Sequence, residues 1–147
     1  MYKFLFSELN VSGITFKNRL TMAPLYLGYA GEGGTVNSFL LEHYRLMAKS
    51  GAAMIVVENS TIDHPTGSGS DRTLRADTDD NADGLKKIAA TIKQEGSLAC
   101  LQINHAGRYA GVHKPVAPSA VETFGMIPKT LGKTEIRSIV NRYADAA

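Results

Sequence analysis

The chain has 147 residues, 44% of them hydrophobic and 20% charged, with 14 Gly and 5 Pro. This is ordinary globular composition and excludes disordered, collagen-like and coiled-coil chains. With 16 Lys+Arg against 14 Asp+Glu, the net charge is +2 and no basic stripe is visible, so neither nucleic acid nor a membrane surface is expected as a partner.

The lone cysteine, Cys100, cannot form an internal disulfide and supplies too few ligands for a cysteine-held zinc or iron–sulfur centre. It lies in the apolar run Leu98-Ala99-Cys100-Leu101, where packing as a small hydrophobe is expected. The four histidines, at 43, 64, 105 and 113, lack metal-ligand spacing, so no metal site is expected. No apolar stretch approaches the roughly 18 residues of a membrane span, and the first residues have no signal-peptide core. A cytoplasmic protein is the expectation.

Leu9 and Val11, then Ile14 and Phe16, alternate with polar residues around Ser12-Gly13, which predicts a short β-hairpin. Residues 19–25 predict a buried strand ending at Pro24, followed by a glycine-rich loop at 28–34. Asn37 is placed to cap a helix over 38–49, with Phe39, Leu40, Tyr44 and Met47 as its buried stripe and Gly51 as its stop. The apolar run 52–58 predicts a strand buried on both faces. Residues 60–78 predict a long loop. A helix starting at Asp79 or Asp80 ends at Gly96, and 97–103 form a third buried strand. A second long loop from Asn104 to about 133 leads to a helix capped by Thr134, with Ile136, Ile139, Val140 and Tyr143 on one face.

A hairpin followed by strand–helix three times predicts an α/β fold with parallel strands and right-handed crossovers. Ligands in such sheets bind at the carboxyl ends of the strands. The residues there are Ala23, Pro24, Leu25 and Tyr26, then Glu58 and Asn59, then Gln102 and His105, with Arg108 close behind. Amides offer both donors and acceptors, which suits the edge of a polar heteroaromatic ligand. Each residue also has a plain structural alternative: Gln102 as a partner for loop backbone, Asn59 as a turn residue, Glu58 as a partner of loop amides, Tyr26 as a half-buried aromatic, and His105 with Arg108 as a loop anchor. The glycines at 28–34 fit neither a dinucleotide nor a P-loop pattern, and no G-x-S-x-G elbow exists.

Lys17-Asn18-Arg19-Leu20-Thr21-Met22-Ala23-Pro24-Leu25 resembles the first-strand motif of the old yellow enzyme family of NADH:flavin oxidoreductases. Ile55-Val56-Val57-Glu58, then Leu101-Gln102-Ile103-Asn104-His105-Ala106-Gly107-Arg108, then Ala117-Pro118-Ser119-Ala120 continue the resemblance in order. It is nearest to the branch containing 2,4-dienoyl-CoA and 2-enoate reductases.

The resemblance implies the N-terminal portion of a (β/α)8 TIM barrel: the bottom hairpin plus about three βα units. A barrel has eight units and typically about 250 residues, so residues 1–147 are expected to be an incomplete part of one FMN-binding domain. The implied activity is hydride transfer from NADH or NADPH through FMN to a small-molecule substrate with an activated C=C bond. Implied cofactor-binding positions are Ala23, Pro24, Leu25, Tyr26, Asn59 and Gln102. Substrate-side positions are His105, Arg108 and Tyr29, and no catalytic residue is assigned. An iron–sulfur cluster is expected only in C-terminal regions beyond these residues. The chain alone is expected to bind FMN weakly or not at all and to be inactive, and a homo-oligomer is expected. The alternative is a non-enzymatic partial barrel that associates through open sheet edges.

Overall fold

The computed structural model describes residues 2–112 and 114–147. Met1 and His113, the latter among the histidines read for metal spacing, lie outside the described residues.

The expected hairpin forms. Strands β1 (Leu9–Val11) and β2 (Ile14–Phe16) pair antiparallel, with Leu9 opposite Phe16. Ser12 and Gly13 take positive φ, 50° and 83°, the turn geometry whose twist matches a two-residue hairpin. Strand β3 is only Thr21–Met22, shorter than the 19–25 predicted. It meets the next strand only at two positions, and Pro24 has no N–H with which to extend the ladder.

Helix α1 (Ser38–Lys49) begins as predicted, with the Asn37 side chain accepting the Leu40 N–H. It ends where Gly51, at φ 88°, donates to the Ala48 carbonyl. Its buried face is Leu40, Tyr44 and Ala48, spaced four apart. Phe39 was expected in that stripe and is 74% exposed. It sits about 100° around the helix from Leu40, outside the covered face.

Strand β4 (Met54–Thr61) extends three residues beyond the predicted end and runs parallel to β3. The segment read as a long loop contains a one-turn helix α2 (His64–Gly67) and strand β5 (Leu74–Arg75). Strand β5 pairs with β4 at Ser60 and Thr61, which is the part of β4 that β3 leaves open. After a short 3-10 turn at Asp79–Asn81 comes α3 (Ala82–Gln94), two or three residues later than the predicted start at Asp79 or Asp80. Strand β6 (Leu98–Asn104) then pairs parallel along the other edge of β4, from Met54↔Leu98 to Thr61↔Asn104, with an irregularity between Val57 and Ser60.

The 105–132 segment carries β7 (Val116–Ala117) and β8 (Lys129–Thr130), paired parallel. Helix α4 (Lys133–Ala146) starts at Gly132 rather than at the predicted cap Thr134. There the Glu135 carboxylate accepts the Gly132 N–H at 3.0 Å and meets Lys129 Nζ at 2.6 Å, the acid-at-N3 half of a capping box. None of its residues is fully buried: of the predicted apolar stripe, Ile139 and Tyr143 are half-buried, while Ile136 and Val140 are exposed.

The core lies on one face of the sheet. Ile55 and Val57 of β4 pack against Leu40 and Tyr44 of α1 and Ile88 and Ile92 of α3. Each fully buried side chain of this size contributes about 1.5–3 kcal/mol. On β6, Ala99 and Leu101 face this core. Alternation therefore sends Cys100 and Gln102 to the opposite face, where both are exposed. Cys100 is thus not packed as predicted. The architecture is α/β with parallel strands, and the described sheet does not close into a barrel. Among the described residues, no helix is long and apolar enough to cross a membrane.

Candidate functional site

Because β3, β4 and β6 are parallel, their carboxyl ends share one edge of the sheet. The segments leaving that edge are Ala23–Tyr26, the end of β4 from Glu58, and Gln102–Arg108. Leu25, Tyr26 and Tyr29 are exposed, as is Ala23, while Pro24, Asn59 and Arg108 are half-buried. Gln102 presents its amide on the face opposite the helices. The arrangement therefore brings an apolar wall from the first loop and one exposed amide to the same sheet edge.

The first loop is tied down at two points. Glu58, fully buried, accepts the Leu27 N–H through Oε2 at 2.6 Å, and the Gly28 N–H also favours its charged form. Burial pushes its carboxyl above the usual carboxylate range, and the two backbone donors hold it down in part. The Glu58 backbone N–H donates to Tyr44 Oη at 2.8 Å. Burial raises the Tyr44 hydroxyl pKa, so it stays protonated. The second tie is the Tyr26 hydroxyl, 2.5 Å from Ser70 Oγ.

His105, implied on the substrate side, has a largely buried side chain. Its side chain is 7% exposed, in a polar cluster with Asp63 at the start of α2, Thr66 of α2 and Arg142 of α4. The Gly107 N–H donates to Nδ1 at 3.1 Å, which assigns the ring proton to Nε2, facing Thr66 Oγ1 at 3.3 Å. Thr66 Oγ1 donates to Asp63 Oδ2 at 2.5 Å, and the Arg142 guanidinium lies 2.7 Å from Asp63 Oδ1. Burial pulls the His105 pKa below its ordinary value; Asp63 opposes this and Arg142 adds to it. The imidazole is therefore neutral near pH 7. Arg108 belongs to the same segment, in the short turn Gly107–Tyr109.

Sequence reasoning assigned no role to Asp63, Thr66, Ser70 or Arg142. A signal did exist: Asp63-His64-Pro65 has a helix-start residue two positions before a proline, and that start is α2. Among the described residues, no group of three or more His, Cys, Asp or Glu could hold a metal ion.

Residues 4–147 match the NADH:flavin oxidoreductase / NADH oxidase family. The chain belongs to that family. It is 34% identical to an NADH oxidase of Thermoanaerobacter brockii and 34% identical to an NADPH dehydrogenase of Clostridium acetobutylicum, each match covering 97% of this chain. It spans 23% and 43% of the length of those two relatives. Among solved structures, an old yellow enzyme homologue from Zymomonas mobilis superposes with a TM-score of 0.84 at 26% identity, over 97% of this chain and 44% of that one. A 2-naphthoyl-CoA reductase shares the fold with a TM-score of 0.92 at 24% identity, over 99% of this chain and 25% of that one. The family is one of flavin-dependent oxidoreductases on a TIM barrel, with FMN as cofactor and NAD(P)H as reductant.

The residues present fit one side of such a flavin. An exposed amide can both donate to and accept from a pyrimidine edge, and an exposed apolar segment held by two ties can lie against a ring.

Proposed function

We propose that these residues form one wall of the FMN site of an oxidoreductase that passes hydride from NADH or NADPH to an activated C=C bond of a small molecule. When bound, FMN supplies the hydride chemistry. This chain's part is to bind and orient. Gln102 pairs with the pyrimidine edge, Ala23, Pro24, Leu25 and Tyr26 lie along the ring, and Asn59 adds a polar contact at the β4 end. Tyr29 and Arg108 lie toward the substrate. His105 acts through the 105–109 turn, which its ring anchors, rather than by touching substrate. Residues 1–147 are an incomplete part of a single barrel domain. On their own they bind FMN weakly and do not turn over NADH.

The observation that carries this reading is the exposed Gln102 amide on the same sheet edge as a tethered apolar loop. A stopped assay of NADH oxidation by the purified chain with added FMN tests the activity statement. No turnover above free flavin is expected, and steady turnover would overturn it.

A second reading is favoured by a separate observation. Among the described residues, β6 and β3 each pair only with β4, and Ile136 and Val140 of α4 are exposed. Open edges of this kind invite pairing between chains. In this reading the chain self-associates, and a concentration-independent monomer in light scattering would refute it.

A further inference from the structure

Glu58 is buried in the core of a protein whose proposed chemistry does not use it, and the backbone explains only half of its carboxylate. Oε2 is taken by the Leu27 N–H at 2.6 Å, while Oε1 is buried with no hydrogen-bond partner. A buried charged or polar group is costly unless bonded. Its retention here follows from what it holds: the Leu27 amide just beyond the segment Ala23–Tyr26, with Gly28 at φ 67° completing the bend and its N–H also favouring the charged carboxylate. Carboxylate-to-amide bonds are roughly twice as strong as neutral ones. On the strand side, the Glu58 backbone is fixed by Tyr44 Oη at 2.8 Å, which ties the carboxylate to α1.

We infer that Glu58 is a positioning residue: a latch on β4 that sets the height of the Pro24–Tyr26 wall above the sheet, and so the fit of the flavin ring against it. This rests on the flavin reading above for its purpose but not for its geometry. The Tyr26–Ser70 bond tethers the same wall from the opposite segment, so Glu58 fixes the backbone while Ser70 fixes the side chain.

The test is amide hydrogen exchange and an NMR-detected FMN titration of the full chain, wild type against Glu58→Gln, with Tyr44→Phe as the comparison. Tyr44→Phe removes a buried bond to the same strand but leaves the carboxylate in place. Expected for Glu58→Gln is exchange about tenfold faster at Leu27 and Gly28, with α1 and α3 amides unchanged. FMN affinity should weaken by about three- to tenfold, while Tyr44→Phe leaves the loop amides protected. Unchanged exchange at Leu27 and Gly28 overturns the latch. Faster exchange with unchanged FMN affinity overturns its positioning role. Should Glu58→Gln not fold, rapid exchange of those two amides in the wild type overturns the latch as well. Failure of the wild type to bind FMN refutes the flavin reading, and with it the latch's purpose; protected loop amides would still establish the geometry.

Discussion

Gly67→Ala is the sharpest single test of how the polar cluster is built. A Cβ at Gly67 would lie 2.5, 2.6 and 2.7 Å from Cδ2, Cγ and Nε2 of His105, whereas ordinary contact is about 3.5–4.0 Å. The ring would have to retreat by about 1 Å. It has little freedom to do so, since Nδ1 is held by the Gly107 N–H and Nε2 faces Thr66. The backbone is also pinned: the Gly67 N–H donates to the Asp63 carbonyl, and its own carbonyl accepts from Ala106, both at 2.8 Å. Overpacking of this kind costs about 1–3 kcal/mol, and each strained hydrogen bond adds about 1 kcal/mol. The expected loss is on the order of 2–4 kcal/mol in urea unfolding. Gly69→Ala is the control, because its Cβ meets only Thr73 Oγ1 at 3.6 Å, and should change stability by less than about 0.5 kcal/mol. In a double-mutant cycle, His105→Ala should absorb most of the Gly67→Ala cost. Equal stabilities for Gly67→Ala and Gly69→Ala, or strict additivity with His105→Ala, would refute the packing argument.

Other outcomes follow from the same geometry. Leu40→Ala, at a fully buried core position, should lower stability by about 2–5 kcal/mol in chemical denaturation. Gln102→Leu should leave stability nearly unchanged, since the side chain is exposed, but weaken FMN binding by about three- to tenfold through loss of one hydrogen-bonding edge; a flavin titration reads this directly. Burial lowers the His105 pKa in the folded chain, whereas the unfolded residue titrates near about 6.5. Below that value the unfolded state binds more protons, so this contribution to stability is present at neutral pH and is lost as pH falls. The urea midpoint of the wild type should therefore fall more between about pH 7 and about pH 5.5 than that of His105→Gln, and parallel profiles would contradict the assignment.

The parts of the fold legible in the sequence are those set by local chemistry. Ser12-Gly13 specifies the hairpin turn, Asn37 caps α1 and Gly51 stops it, and apolar runs mark β4 and β6. Strand β5 was not legible, because it exists only through its pairing with Ser60 and Thr61. Phe39 was misplaced because a helix stripe read from sequence is wider than the face its neighbours cover. For α4, Glu135 reaching back to Gly132 fixed the start, a signal that a cap residue at Thr134 concealed.

At the candidate site, residue types were readable but surroundings were not. His105 stands at a strand end, where ligand contacts are common, yet Thr66, 39 positions away, draws it into a buried cluster. Glu58 could be read as a partner of loop amides, and it is one, but which amide it holds shows only when Leu27, 31 positions earlier, is seen to donate to it. Cys100 and Gln102 lie on the face away from the helices, and only the register of β6 against β4 reveals this.

The most direct test of the central claim is an NMR-detected titration of the full chain with FMN. The account predicts saturable, weak binding, with shifts concentrated in the Gln102 side-chain amide and the backbone of residues 23–28, and no comparable shifts in α4. Absence of saturable shifts, or shifts centred away from the carboxyl ends of β3, β4 and β6, would contradict it.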